Sequence, residues 1–403
     1  MIPFGIQVTG FQGLMKTLKG LVKTLPFPKP TLFSGPGSSL QLCDAIALMG
    51  VHKLLVVTDA MLIKIGLLDD IQARLKELGI RYQIYDGIKP DPTVEQIEAG
   101  LKVLKRERCQ AILAVGGGSS IDAAKVIAAR ATNHKPISRM EGMFKVFSAP
   151  MPLYVVPTTA GTGSEVTIAA VVSDPAKKKK TPIMDPKLVP IMAALDGALM
   201  TGLPPAVTAA TGMDALTHAV EAYLSANALP ETDGYALAAT KLIMENLPTA
   251  FANGKDLEAR QAMSFASYYA ALAFTRAGVG YVHAISHNFG AYYHTPHGLA
   301  NAIVMPWVLD FSKPDCIKRL ARLGEVAGLR KKGDRPQALA NRFIDHIRDM
   351  NRTFGIPSQL DALKKSDIPA IAASALKEAH YTYAVPRYMD QRTCEGLIAK
   401  MLA

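Results

Sequence analysis

Four of the chain's nine histidines lie between positions 283 and 297: His283, His287, His294 and His297. Further upstream, Asp214 and His218 stand four apart in an Ala/Leu/Val-rich segment with helical character, and His283 and His287 repeat that spacing on a second apolar segment. Residues four apart in a helix share a face, one turn from each other. Ionisable groups are scarce in apolar sequence unless they do something there. One carboxylate with several imidazoles suits a borderline divalent cation such as iron, zinc, manganese or cobalt, whereas calcium or magnesium would draw more oxygens. Asp214, His218, His283, His287 and His297 are the candidates and His294 is another. A tetrahedral site takes about four donors at most, so at least one histidine is left for a different role. Any one of these residues is read more simply as a hydrogen-bonded core side chain; the set is not.

A second group of residues has the chemistry of phosphate binding. The apolar strand Ala111–Val115 runs into Gly116-Gly117-Gly118-Ser119-Ser120, and a helix is expected from Ile121 to Ala131. Glycines let the backbone approach phosphate oxygens, and the free N–H groups and dipole of the helix start favour negative charge. In the common dinucleotide fingerprint the acidic ribose ligand follows the glycines. Here the candidate, Asp59, precedes them, at the end of the strand Lys53–Thr58. A carboxylate there accepts hydrogen bonds from ribose hydroxyls and repels a 2′-phosphate, so NAD is expected over NADP. A second polar turn, Pro157 to Glu165, follows the strand Leu153–Val156 and offers hydroxyls from Thr158, Thr159 and Thr162.

The surrounding pattern supplies a frame for both groups. From about residue 29, strands alternate with helices (Asp69–Leu78, Arg81–Tyr85, then Val94–Lys105 capped by Thr93), which argues for a mostly parallel sheet covered on both faces. Beyond Leu203-Pro204-Pro205 the expected elements are helices: Ala215–Leu224, Gly234–Asn246, Leu257–Thr275, Cys316–Ala327, Pro336–Met350 and Ile368–Leu376. The expected division is therefore an extension at 1–28, an α/β domain at 29–203 and an all-α domain at 204–403. A chain of 403 residues, 49% apolar and 20% charged, fits two soluble domains. No apolar run is long enough to span a bilayer. Four cysteines without paired spacing point to a reducing compartment. The net charge of +11 suits an anionic ligand such as a dinucleotide, and no basic-aromatic patch speaks for nucleic acid. Leu14, Leu18, Leu21 and Leu25 alternate with lysines at helical spacing; this helix is read as lying on its own protein rather than on a membrane.

Taken together, these motifs resemble those of the iron-containing (group III) alcohol dehydrogenase family, over almost the whole chain from Lys29. The segments that carry the resemblance are Gly116–Asp122, Pro157–Glu165, Gly212–Ala219 and His283 to Gly298. The resemblance implies an N-terminal dinucleotide-binding α/β domain and a helical C-terminal domain, the dehydroquinate synthase-like architecture, with an active site in the cleft between them. It also implies a cytoplasmic homodimer using NAD and Fe(II), with Zn(II) as the other metal. By the same comparison the metal ligands are Asp214, His218, His283 and His297, and His287 is a non-ligand histidine near nicotinamide and substrate, with a catalytic role. The cofactor-binding residues implied are Asp59 at the ribose, Gly117, Gly118, Ser119 and Asp122 at the pyrophosphate, Thr158, Thr159, Thr162 and Thr167 along the nucleotide, and Lys180 at the end of the run Lys177–Lys180. Asp91 stands where the family often has Asn, and its charge bears on cofactor choice. Residues 1–28 lie outside the resemblance.

The expected activity is hydride transfer between a small primary alcohol or diol and the nicotinamide. The alternatives are a related metal enzyme of the same fold (glycerol dehydrogenase-like, a reductase of a carboxylated carbonyl, or a dehydroquinate-synthase-like lyase) and a catalytically silent nucleotide-binding protein. A carboxylated substrate would need a basic clamp. Near the metal motifs the sequence offers mainly Arg276 among Phe274, Tyr281 and Phe289, which favours a small, weakly charged substrate.

Overall fold

In the computed structural model, which describes residues 3–24, 27–174 and 179–403, the chain separates into an α/β unit and a helical unit. The division falls after Leu203, and two pieces cross it. The first helix, α1 (Phe4–Thr24), groups with the helical unit, and Lys255–Ser264 groups with the α/β unit.

The α/β unit runs β1 (Thr31–Ser34), α2 (Ser38–Leu48), β2 (Lys53–Val57), α3 (Ala60–Lys64), α4 (Asp69–Glu77), β3 (Arg81–Tyr85), α5 (Val94–Arg106), β4 (Ala111–Gly116), α6 (Gly118–Thr132), β5 (Gly142–Met143), β6 (Leu153–Pro157), β7 (Ala169–Asp174), β8 (Lys179–Met184) and β9 (Met192–Leu195). Six strands form one parallel sheet in the order β1-β9-β6-β4-β2-β3. Side chains alternate across a strand, and the strand sequences are apolar at both phases. Leu54, Val56, Leu113 and Val156 therefore enter one core with Leu42 and Ile46 of α2 and Ile71 and Leu75 of α4. Leu55, Val57, Ile112 and Val155 enter the other, with Ile97 and Leu101 of α5 and Ile121 and Ile127 of α6. A strand apolar on both faces needs helices on both, and the sheet is doubly wound. Thr93 caps α5 through a reciprocal pair with Gln96. The short strands β1, β9 and β5 and the hairpin β7–β8 were not among the expected strands.

The helical unit adds α7 (Pro205–Leu224), α8 (Pro230–Ala252), α9 (Leu257–Ala277), α10 (Tyr281–Tyr293), α11 (His297–Val326), α12 (Pro336–Thr353), α13 (Ile368–Thr382) and α14 (Gln391–Ala399). The segment expected as a separate helix from Cys316 is the second half of α11. The expectation holds in that the non-helical backbone at Cys316, with φ of −137°, just after Pro314, divides α11 into two helices joined across a kink. Among the described side chains of α1, Phe11 and Met15 are buried, whereas Leu14, expected on the buried stripe, is exposed. Leu25 and the side chains of Leu18 and Leu21 lie outside the described residues.

Candidate metal centre and nucleotide-binding turns

Pro205 starts α7 at a position where a missing N–H costs nothing. Two to four turns on, α7 presents Asp214, His218 and Glu221 from one face, all buried. His283 lies in the first turn of α10, and His297 opens α11. The approach of α11 to α7 depends on Gly298: a Cβ there would lie 2.2 Å from the carbonyl oxygen of Ala210. Any side chain at 298 would push His297 away from Asp214. With glycine in place, one ligand atom each from Asp214, His218, His283 and His297 falls within 4.8 Å of all the others. Oδ1 of Asp214 lies 3.5 Å from Nε2 of His297 and 4.0 Å from Nε2 of His283. A single buried carboxylate among three imidazoles fits iron or zinc in donor type and number.

The imidazoles are aimed by neighbours. Nδ1 of His283 donates to Oε2 of Glu221 at 2.6 Å, while Oε1 accepts the N–H of Val282 at 2.7 Å. That pairing turns the bare Nε2 of His283 toward the cluster. Burial, followed by the neighbouring imidazoles of His218, His297 and His287, holds His283 well below the usual imidazole range, so it is neutral and able to ligate. Burial also pushes Glu221 up to about 7, against the pull of the N–H groups of Gly280, Val282 and His283. Phe274 stacks on His218 with ring centroids 4.2 Å apart. Asn301, one turn after His297, donates from Nδ2 to Oδ1 of Asp214 at 2.7 Å and lies 3.2 Å from Nε2 of both His283 and His297.

His287 stands beside the four-donor cluster and outside it. Its ring stacks on His297 at 5.4 Å, and its Nδ1 donates to Oε1 of Glu378 at 2.7 Å. The hydroxyl of Tyr383 donates to the same oxygen at 2.6 Å. Burial pushes Glu378 up, but the adjacent His287 ring and the hydrogen bonds from His287 and Tyr383 outweigh it and hold the carboxyl below its usual range. His294 joins neither group. It caps α10 in a left-handed backbone conformation, with φ of 55°. Tyr281 and Phe289 are core residues, and Arg276 is ion-paired to Glu231 at 2.6 Å.

In the α/β unit the two polar turns lie side by side. Gly117 is the N-cap of α6, and a Cβ on Gly118 would come within 2.8 Å of Oγ1 of Thr162. Glycine at 118 thus lets the turn after β6 close against the helix start, leaving backbone N–H groups of α6 for an anion. Gly117, Gly118, Ser119, Thr159 and Thr162 belong to this junction. Asp59 sits at the end of β2 and caps α3, its Oδ1 accepting the N–H groups of Met61 and Leu62. Asp91 is exposed in a left-handed turn before α5. Thr158 is buried; Asp122 accepts the N–H of Val171, and the Thr167 hydroxyl is bound by Lys125. Lys180 pairs through its backbone with Ser173, and its side chain, with Lys177 and Lys178, lies outside the described residues.

Comparison with known proteins places this arrangement. The model of iron-containing alcohol dehydrogenases matches residues 29–197, and that of the Fe-containing alcohol dehydrogenase family, C-terminal, matches residues 208–402. The chain belongs to the iron-containing alcohol dehydrogenase family. It is 40% identical over 378 residues to the NAD-dependent methanol dehydrogenase of Bacillus methanolicus, covering 93% of this chain and 99% of that one. It is 35% identical to the lactaldehyde reductase of Escherichia coli K12, covering 86% and 92%. The crystal structure of a 1,3-propanediol oxidoreductase superposes with a TM-score of 0.90 at 36% identity, covering 94% of this chain and 100% of that one.

Within this iron-containing dehydrogenase, three residues that touch the cluster or its neighbour carry little or no signal in the sequence. Glu221 was visible in principle, because Asp214, His218 and Glu221 share a helical face. Asn301 lies one turn from His297, but an amide carries no signal of its own. Glu378 had no local signal: it meets His287 from 91 residues away.

Proposed function

We propose that the chain interconverts small primary alcohols or diols and their aldehydes, with NAD and iron as cofactors, and that zinc fits the same donors. The observation that carries the reading is the convergence of one carboxylate and three imidazoles within 4.8 Å in the interior of the helical unit. Asp214, His218, His283 and His297 hold the ion. Gly117, Gly118, Ser119, Asp122, Thr158, Thr159, Thr162 and Thr167 form the nucleotide site, with Asp59 at the ribose and with Asp91 and Lys180 at its margin. Residues 29–203 serve the nucleotide and 204–403 the metal. When bound, the metal supplies Lewis acidity toward the substrate oxygen, and the nicotinamide supplies hydride chemistry.

The residues contribute charge and proton handling. The donor set has one negative charge, so with a divalent ion the site stays net positive. Glu221 keeps the proton of His283 on Nδ1. Glu378 does the same for His287, which leaves Nε2 of His287 to accept the alcohol proton during oxidation or return it during reduction. A bidentate clamp for a carboxylated substrate has no support here, since Arg276 is engaged by Glu231. Small uncharged alcohols and aldehydes remain as the substrate class.

Among the described residues, no helix is long and apolar enough to cross a membrane. All four cysteines are free and buried, and burial pushes the thiols of Cys43, Cys316 and Cys394 up to about 12. Four cysteines without a disulfide suit a reducing compartment, and we assign the enzyme to the cytoplasm as a homodimer, as the family resemblance implies.

Metal analysis of anaerobically purified protein, paired with a panel of alcohols and aldehydes, tests the reading. One metal per chain and NADH-linked turnover of short alcohols or diols are expected. His283→Ala should remove metal and turnover together; full turnover by a metal-free variant would overturn the ligand assignment.

A further inference from the structure

The N-terminal helix α1 lies outside the residues that the family models match, 29–197 and 208–402. It nevertheless packs into the helical unit, and its contacts fall on the elements that carry the metal site. Phe11, 9% exposed, stands against His380 of α13 with centroids 4.7 Å apart and stacks on Tyr388 at 5.8 Å. The Nε2 of His380 lies 2.8 Å from the hydroxyl of Tyr281, the first residue of α10. That hydroxyl also accepts the N–H of Met389 at 3.1 Å. Tyr281 is two residues before His283, and His380 is two residues after Glu378, the partner of His287. One helical turn or so past Met15, Nζ of Lys19 donates to the carbonyl oxygens of Ala226 and Ala228 at 2.8 and 3.1 Å. These two carbonyls belong to the loop that follows α7, the helix of Asp214, His218 and Glu221. The same loop reaches the end of α13 through the N–H of Ala226 and the carbonyl of Ala384, 2.7 Å apart.

We propose that α1 is a clamp on the metal centre, with Phe11 and Lys19 as positioning residues. Phe11 fixes α13 and, through His380 and Tyr281, the first turn of α10. Lys19 fixes the end of α7. The helix thereby ties together the three elements that hold Asp214, His218, His283, His287 and both aiming carboxylates. The apolar burial of Phe11 and Met15 supplies the adhesion. The lysine adds direction, because an ammonium bridging two carbonyl oxygens has only one seat on the loop. The alternative use of such a basic helix, release from its own protein onto an anionic membrane, would remove this brace.

The inference rests on the assignment of the four donors as metal ligands, and the test separates the two. Metal stoichiometry of the intact chain is measured first; an intact chain that takes up neither iron nor zinc overturns the ligand assignment itself. Release of the metal to an excess of chelator is then followed for the intact chain, for a chain lacking residues 1–24, and for Phe11→Ala and Lys19→Met. Release is read at a temperature where circular dichroism shows each variant folded. The clamp predicts release faster by about tenfold on truncation, toward the low end of what loss of outer partners does at metal sites. It also predicts smaller increases in the point variants, recovery in Phe11→Leu and Lys19→Arg, and a lower kcat with KM for NADH unchanged. A merely stabilising helix would lower the melting temperature and leave release from the folded protein alone. Unchanged release and kcat in the folded truncated chain would overturn the proposal. So would flotation of the intact enzyme with phosphatidylserine vesicles without any change in release rate.

Discussion

Two buried glutamates, one in each unit, are put to different uses. Glu165 lies in the turn after β6, 2% exposed, and Glu221 lies in α7, 7% exposed. Burial pushes both up to about 7. For Glu165 its own backbone N–H opposes that rise first and the charge of Lys125 second; Lys125 is itself fully buried and pushed down to about 8 by burial. The Nζ of Lys125 donates to the carbonyl oxygens of Thr167 and Ala169 and to Oγ1 of Thr167, at 2.7, 2.9 and 3.0 Å. Its three protons are spent on backbone and hydroxyl oxygens, so Lys125 itself braces the polar turn beside the glycine turn, with Glu165 nearby as a counter-charge. Glu221 is opposed by backbone N–H groups, and its other oxygen faces the His283 ring. One unit uses its buried charge to hold a loop in place; the other uses it to aim a ligand. Substitutions at the two places should therefore fail differently.

The largest effect is expected at the brace. Lys125→Met leaves Glu165 and Asp122 buried without the nearby cation and takes the ammonium donor from the carbonyl oxygens of Thr167 and Ala169. Losing hydrogen bonds from a buried ammonium to buried oxygens costs about 3 kcal/mol in all, because Glu165 can retain its proton once the cation is gone. Denaturant melts of the two proteins measure it. The comparison requires the folded variant to keep wild-type metal stoichiometry, and loss of metal there would show that the two buried charges do the same work.

At the aiming carboxylate the expectation is reversed. Glu221→Leu should lower metal affinity by about 100-fold and Glu221→Gln by about 10-fold, as for other partners of ligating histidines. Affinity is read by competition with a chelator, with NAD binding unchanged. Equal affinity in wild type and Glu221→Leu would mean that packing alone orients His283.

The same contrast explains what could be read from the chain. In the α/β unit the informative residues are contiguous. Strand, three glycines and helix follow one another in Ala111–Thr132, and the core strands β2, β4 and β6 announce themselves by apolar runs. In the helical unit the metal residues come in short-range pairs. Asp214, His218, His283, His287 and His297 were legible as one set of candidate ligands through type and spacing, but which four share an ion was given only by the family resemblance. Spacing alone did not separate His287 from the ligands, because whether a histidine ligates depends on where its ring is aimed. That aim is set by Glu221, 62 residues from His283, and by Glu378. The close approach at Gly298 was equally silent, since glycine before an Ala/Leu run says nothing about the carbonyl of Ala210. What remained hidden was contact across long stretches of chain, and what showed was local pattern.

The smallest effect separates charge from geometry at Asp59. Its Oδ1 accepts two N–H groups at the start of α3, so the residue is a helix cap whatever else it does. Replacement by Gly would remove cap and charge together and confuse the two. Asp59→Asn keeps a capping oxygen, and Asn caps about as well as Asp, so stability should stay within about 0.5 kcal/mol. The lost charge no longer repels a 2′-phosphate. For a half-exposed, screened carboxylate that repulsion is worth about 1 kcal/mol, so the ratio of kcat/KM for NADP over NAD should rise about fivefold. A ratio that stays put while Asp59→Gly loses stability would reduce Asp59 to its cap. The acidic control of cofactor choice would then have to lie elsewhere, with Asp91 in its exposed turn before α5 the next carboxylate to replace.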